Sequence, residues 1–112
     1  MLMTVAELPE YQRRAEKLLS EEERHDVVSY LAAFPKDGDL IRGTGGVRKL
    51  RWRRSGRGKS GGVRVIYYFH SERIPLYLLT VFAKNERADL NQAERNELAR
   101  LVAVLIETAL GK

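Results

Sequence analysis

The sequence predicts an α+β domain in which helices pack on one face of an antiparallel sheet. Three observations point there. Apolar residues recur at helical spacing near both ends of the chain. The middle alternates as strands do. The connections between the middle segments are short enough for a meander. With 112 residues the chain is the size of one domain, residues 1–112, around one core.

Leu2 to Ala6 can form a short first strand, and Pro9 then suits the first turn of a helix. Tyr11, Ala15, Leu18 and Leu19 place that helix at about 8–19. Ser20-Glu21-Glu22-Glu23 has the capping-box pattern, in which Ser20 and Glu23 each satisfy the other's free backbone N–H. The second helix it starts carries Val27, Val28, Leu31 and Phe34 on an apolar face. Pro35 stops it, and Lys36 to Asp39 form a turn. Two helices joined this tightly form an antiparallel hairpin.

Lys49-Leu50-Arg51-Trp52-Arg53 alternates basic and apolar residues, so in a strand Leu50 and Trp52 face the core while Lys49, Arg51 and Arg53 face out. A glycine-rich loop follows from Ser55 to Gly62. Val63 to Phe69 is dense in β-branched and aromatic residues and reads as a central strand. Ser71 to Arg73 turn the chain into a further strand, Leu76 to Phe82. Asn91, with Glu94 three residues on, caps a last helix whose inward face is Leu98, Leu101, Val102, Leu105 and Ala109.

Charge is segregated along the chain. Leu40 to Ser71 holds nine Lys/Arg and no Asp or Glu; the other 11 Lys/Arg share the rest of the chain with all 15 Asp/Glu. A basic segment on a mildly acidic body points to a polyanion surface, against the alternative of a solvated basic face. Arg48, Arg53, Arg54, Arg57 and Lys59 would form that surface around the row Lys49, Arg51, Arg53. Cations in such a row stand about 7 Å apart, close to the phosphate spacing of a single strand. A charged strand face guarding an edge would look the same.

Two further cations are candidates for chemistry. Arg64 interrupts an otherwise apolar strand, where a charge is costly unless it is paired or faces a cleft. Lys84 follows the strand ending at Phe82, where rigid scaffolds present functional groups. The simpler readings are an arginine at a strand entrance and a surface lysine. Gly58-Lys59-Ser60 resembles the end of a phosphate loop, but that motif needs a glycine where Arg53 stands, and no helix follows. His25 and His70 fall on separate elements. Cysteine is absent, which excludes disulfides and thiolate metal sites and fits a reducing cytoplasm. No run is long enough to cross a bilayer, and the apolar start, Met1 to Val5, is too short for a signal peptide.

Three spaced blocks, Gly43-Thr44-Gly45-Gly46-Val47-Arg48-Lys49-Leu50-Arg51, Gly58 to Phe69, and Tyr77-Leu78-Leu79-Thr80-Val81-Phe82-Ala83-Lys84-Asn85-Glu86, closely resemble the HigB branch of RelE/ParE-superfamily toxins. The resemblance implies a small twisted antiparallel sheet with an N-terminal helical pair and a C-terminal helix. It implies an endoribonuclease that needs no metal or other cofactor and cuts mRNA on the ribosome, the 2′-hydroxyl attacking to leave a 2′,3′-cyclic phosphate. Carried over by position, it implies catalytic roles for Lys49, Arg51, Arg64 and Lys84. It further implies a helix-turn-helix, HigA-like antitoxin as partner, with operator DNA bound only through that antitoxin. RelE itself has an arginine where Asn85 stands and a tyrosine within the stretch matching Asp89-Leu90-Asn91. Other readings of the basic face are a ParE-like gyrase inhibitor and a non-catalytic RNA-binding module.

Overall fold

A computed structural model describes residues 2–53, 62–87 and 89–111. The chain runs through β1 (Val5–Glu7), α1 (Pro9–Leu18), α2 (Glu21–Ala33), β2 (Asp39–Leu40), β3 (Val47–Arg53), β4 (Gly62–Tyr68), β5 (Leu76–Ala83) and α3 (Gln92–Leu110). The five strands form one sheet in the order β1-β5-β4-β3-β2. Strands β2 to β5 pair antiparallel, which is the expected meander with a short edge strand added. The added strand β2 occupies the end of the stretch expected as a turn. The sheet is mixed, because β1 lies parallel to β5, Val5 opposite Leu76. β1 begins later than expected, at Val5 instead of Leu2.

Both helix starts legible in the sequence carry their caps. Ser20 Oγ accepts from the Glu23 N–H at 3.1 Å while Glu23 Oε1 accepts from the Ser20 N–H at 2.8 Å. Asn91 and Glu94 repeat the exchange at α3, both bonds at 2.9 Å. Gly111 ends α3 in the left-handed region, φ 71°, as a C-cap glycine does. Pro9 sits in the first turn of α1, where its missing N–H costs nothing.

The helices cover both faces of the sheet, not one. Tyr11, Ala15, Val27 and Leu31 of the helical hairpin pack on Leu50, Val63, Val65, Tyr67 and Leu78. On the other face Leu98, Leu101, Val102 and Leu105 of α3 pack with Val47, Ile66, Tyr68, Leu79 and Phe82. Strands β4 and β5 therefore have an apolar side chain on each face, which is why they read as continuous apolar runs rather than alternating ones. Two expected core positions lie outside: Phe34 is 56% exposed, and Ala109 is exposed.

A bulge in β5 changes which of its side chains share a face. Ile66 pairs with Thr80 and Tyr67 with Leu78, so Leu79 is the extra residue. It brings odd-numbered Leu79 and even-numbered Phe82 onto the α3 face together.

The turn before β3 is built for shape. Gly43, Gly45 and Gly46 all have positive φ, up to 118° at Gly46, which side-chain-bearing residues avoid. Thr44 is buried inside the turn, its hydroxyl donating to Ile41 O at 2.7 Å and accepting from the Val47 N–H at 3.1 Å. The glycines noted in the sequence thus serve the backbone here.

Candidate nucleic-acid interface

Strand register sets the cations in rows across the α3 face. Val47 belongs to the core under α3, so by alternation Lys49, Arg51 and Arg53 share its face. Arg51 stands directly opposite Arg64, and Arg64 directly opposite Phe82. One row is therefore Arg51-Arg64-Phe82. The next is Lys49-Ile66-Thr80. On the other side Arg53 faces Gly62, and the ladder continues one step further, the Lys84 N–H donating to Gly62 O at 3.0 Å. The four cations singled out for chemistry thus fall in three adjacent rows of the α3 face, which run from Ile66 and Phe82 under α3 toward Gly62 and Lys84.

Arg51 and Arg64 are a like-charged pair. Opposed residues have Cβ atoms about 5 Å apart, and like charges there destabilise a sheet. Among the described residues no Asp or Glu pairs with either, and the adjoining sequence from Arg54 to Gly61 has none to offer. Arg64 is half-buried, and among the described residues Nη1 donates a long hydrogen bond, 3.3 Å, to Val63 O. Two arginines rooted in opposed positions on one face can both reach a tetrahedral anion bound between them.

The segment after β5 crosses over the same face. Arg87 lies on the Phe82 ring, its guanidinium carbon 4.6 Å from the centroid, and pairs with Glu94. Two residues on, Asp89 reaches Lys49, Oδ1 to Nζ 3.3 Å, with Arg95 at 3.7 Å from Oδ2. Leu90 then enters the core beneath α3. The Lys49 side chain is 20% exposed, so its ammonium is held within the site. Burial pushes the Asp89 carboxyl up, but the Leu90 N–H, Lys49 and Arg95 together outweigh it and hold it below the usual carboxylate range. The Asn91 N–H, against burial and with help from Arg87 and Arg14, holds Glu94 low as well. Lys84 is exposed. Its neighbour Glu86 turns away, accepting from the Ala83 N–H at 2.9 Å and facing Arg14 at 3.7 Å.

Not every basic residue of the segment belongs here. Arg48 points to the opposite face, and its Nη1 donates to Gly38 O at 2.8 Å and Lys36 O at 3.1 Å. It fastens the α2–β2 turn. Arg54, Arg57 and Lys59 lie outside the described residues. His25 is exposed on α2, across the sheet, and His70 at the far end of β4 contacts the Tyr68 hydroxyl at 3.1 Å. A groove of about 1040 Å³ opens beside Phe34, Phe69 and Arg73, at that far end, and none of the row cations lines it. Among the described residues no three His, Asp or Glu converge as metal ligands would, and no helix is long and apolar enough to cross a membrane.

Sequence reasoning missed Arg87, Asp89 and Glu94. Glu94 was legible as a capping residue, but its pairing with Arg87 was not. Nothing in local spacing says that the stretch after β5 crosses back over the basic strand.

A basic face fixed on three paired strands, with Lys49 and Arg64 partly buried and Arg51, Arg53 and Lys84 exposed, can bind a phosphodiester and stabilise charge developing on it. The family described as RelE toxin of the RelE/RelB toxin-antitoxin system matches this chain over residues 4–111. A solved structure of the Escherichia coli toxin RelE, a double arginine-to-alanine mutant in the free state, is similar in fold. Its TM-score is 0.59 at 15% sequence identity, over 91% of this chain and 98% of that chain.

Proposed function

The chain belongs to the RelE toxin family, and on that premise we propose that it is the toxin of a type II toxin-antitoxin pair, a ribosome-dependent endoribonuclease that cuts mRNA and so stops translation. The observation that carries this reading is the Arg51–Arg64 pair: two cations opposed in register, on one face, with no carboxylate partner among the described residues. A pair that repels in the resting protein is stabilised by a dianionic or pentavalent phosphate.

In the reaction the RNA 2′-oxygen attacks the adjacent phosphorus, the bond from phosphorus to the 5′-oxygen breaks, and a 2′,3′-cyclic phosphate remains. The proton leaves the 2′-hydroxyl, and the departing 5′-oxygen gains one. Arg51 and Arg64 meet the non-bridging oxygens, whose charge grows toward the transition state. Lys49 and Lys84 flank that row, where they position the phosphate and handle the protons. Holding the 2′-hydroxyl in line with the leaving oxygen supplies a large share of the rate. Arg53 extends the cationic track for the flanking backbone, with Arg54, Arg57 and Lys59 following it in sequence. The partner is a HigA-like antitoxin with a helix-turn-helix domain, the setting is the cytoplasm, and no metal takes part.

The test is primer extension on a reporter mRNA in a purified translation system, wild type beside Arg64→Ala. Cuts that require ribosomes and vanish in the variant are expected. Wild-type protein that leaves mRNA intact while ribosomes translate it would overturn the assignment.

A further inference from the structure

Two of the cations on this face are already occupied. Lys49 is engaged by Asp89 at 3.3 Å, and Arg87 by Glu94. Neither carboxylate is a loose side chain. Asp89 Oδ1 also accepts from the Leu90 N–H at 2.8 Å, and Oδ2 faces Arg95 at 3.7 Å. Glu94 Oε1 closes the capping box on the Asn91 N–H, leaving Oε2 for Arg87. The two carboxylates are thus fixed where an RNA phosphate would otherwise bind, each with backbone support that does not depend on the cation.

We propose that Asp89 and Glu94 compete with RNA phosphate for Lys49 and Arg87, so that the site discriminates against free RNA. The inference rests on reading this face as the RNA-cleaving site. A diffusing strand must displace or share both carboxylates, and it also meets their negative charge. A strand held in place by a larger scaffold presents its phosphate at a far higher local concentration and wins the same competition. Arg51, Arg64 and Lys84, which have no carboxylate partner among the described residues, remain for the phosphate at the cleavage point.

Amide substitutions separate charge from shape. Asp89→Asn keeps an oxygen for the Leu90 N–H, and Glu94→Gln keeps a capping box, since glutamine serves at that position. The measurement is fluorescence anisotropy with a 2′-O-methylated single-stranded RNA oligonucleotide, which cannot be cut, without ribosomes and across a salt series. Exposed or part-exposed ion pairs of this kind set the scale, so each single variant should bind roughly two- to fivefold tighter and the double variant about tenfold. The logarithm of affinity should also fall more steeply with the logarithm of salt, by about 0.7 for each cation freed. Affinity and slope equal to wild type, or weaker binding, would overturn the inference. If Glu94→Gln loosens α3 in a thermal melt, Asp89→Asn alone carries the test with the same two outcomes. Ribosome-dependent cutting by wild type is scored separately. If cutting holds and the amide variants do not gain affinity, the inference fails alone. If wild type does not cut on ribosomes, the reading of the site fails, and with it the inference.

Discussion

Arg51 and Arg64 face each other across the β3–β4 ladder, on the side of the sheet that α3 leaves partly open. The ladder holds two arginines in directly opposed positions, where like charge destabilises a sheet on the scale of a cross-strand pair, about 0.2–1 kcal/mol. Replacing either by alanine should therefore leave stability unchanged or slightly raised, while cleavage on the ribosome falls by roughly 10²–10³, the range for loss of one electrostatic donor to a transition state. Thermal melts and primer extension on the same preparations read both. A variant that loses stability in step with activity would mean that the pair serves the fold.

That pair shows how far the sequence reaches. Lys49-Leu50-Arg51-Trp52-Arg53 announces its own alternation, and Arg64 stands out in an apolar strand, so the cations were legible one strand at a time. Their convergence depends on register, which no local pattern encodes. Placing Phe82 beside Arg64 further requires the bulge at Leu79. The helix caps at Ser20 and Asn91 were legible because capping is a contact between residues three apart. The parallel pairing of β1 with β5, and the placing of α3 on the face opposite the hairpin, rest on contacts between residues far apart in the sequence. Lys49 with Asp89 is such a contact too, which is why the carboxylates of the site escaped notice.

Asp89 and Glu94 make stability depend on acid. Their folded carboxyls sit below the ordinary values of 3.8 and 4.5. The unfolded chain therefore binds protons first, and the contribution is fully present above those values and lost as pH falls through the lower folded ones. Urea melts between about pH 6 and pH 2 should show wild type losing stability faster than the Asp89→Asn, Glu94→Gln variant. Parallel curves would show that neither ion pair contributes to folding.

Tyr67 locks the α2–β2 turn from beneath. Its hydroxyl accepts from the Gly38 N–H at 2.8 Å and donates to Pro35 O at 2.9 Å. Tyr67→Phe strands a buried N–H and should cost about 1–3 kcal/mol in a urea melt. Gly38→Ala should also destabilise, because the added Cβ would stand 2.8 Å from the Tyr67 ring and hydroxyl and 3.0 Å from Lys49 O. Combined, the two changes should cost less than their sum, since phenylalanine removes the oxygen that the new methyl would meet.

Arg48 separates charge that builds the protein from charge that serves the site. It belongs to the same basic run as Lys49 and Arg51, yet the strand's alternation turns it to the opposite face. There its Nη1 donates to the carbonyls of Lys36 and Gly38. Those oxygens lie in the connection that carries the chain from α2 into the sheet, and a guanidinium bridging both is a charge-assisted fastening worth roughly 1.5–3 kcal/mol. Arg48→Ala should therefore lower the urea midpoint while cutting per folded molecule stays near wild type. Arg51→Ala should do the reverse. The contrast is sharpest in a salt series on ribosome-free RNA binding. Loss of a phosphate-binding cation flattens the salt dependence by about 0.7 per contact for a single strand. Arg51→Ala should show that change and Arg48→Ala should not. An Arg48 variant with normal stability and a flattened slope would place Arg48 on the RNA track after all, and would mean that RNA wraps the edge of β3 to reach both faces.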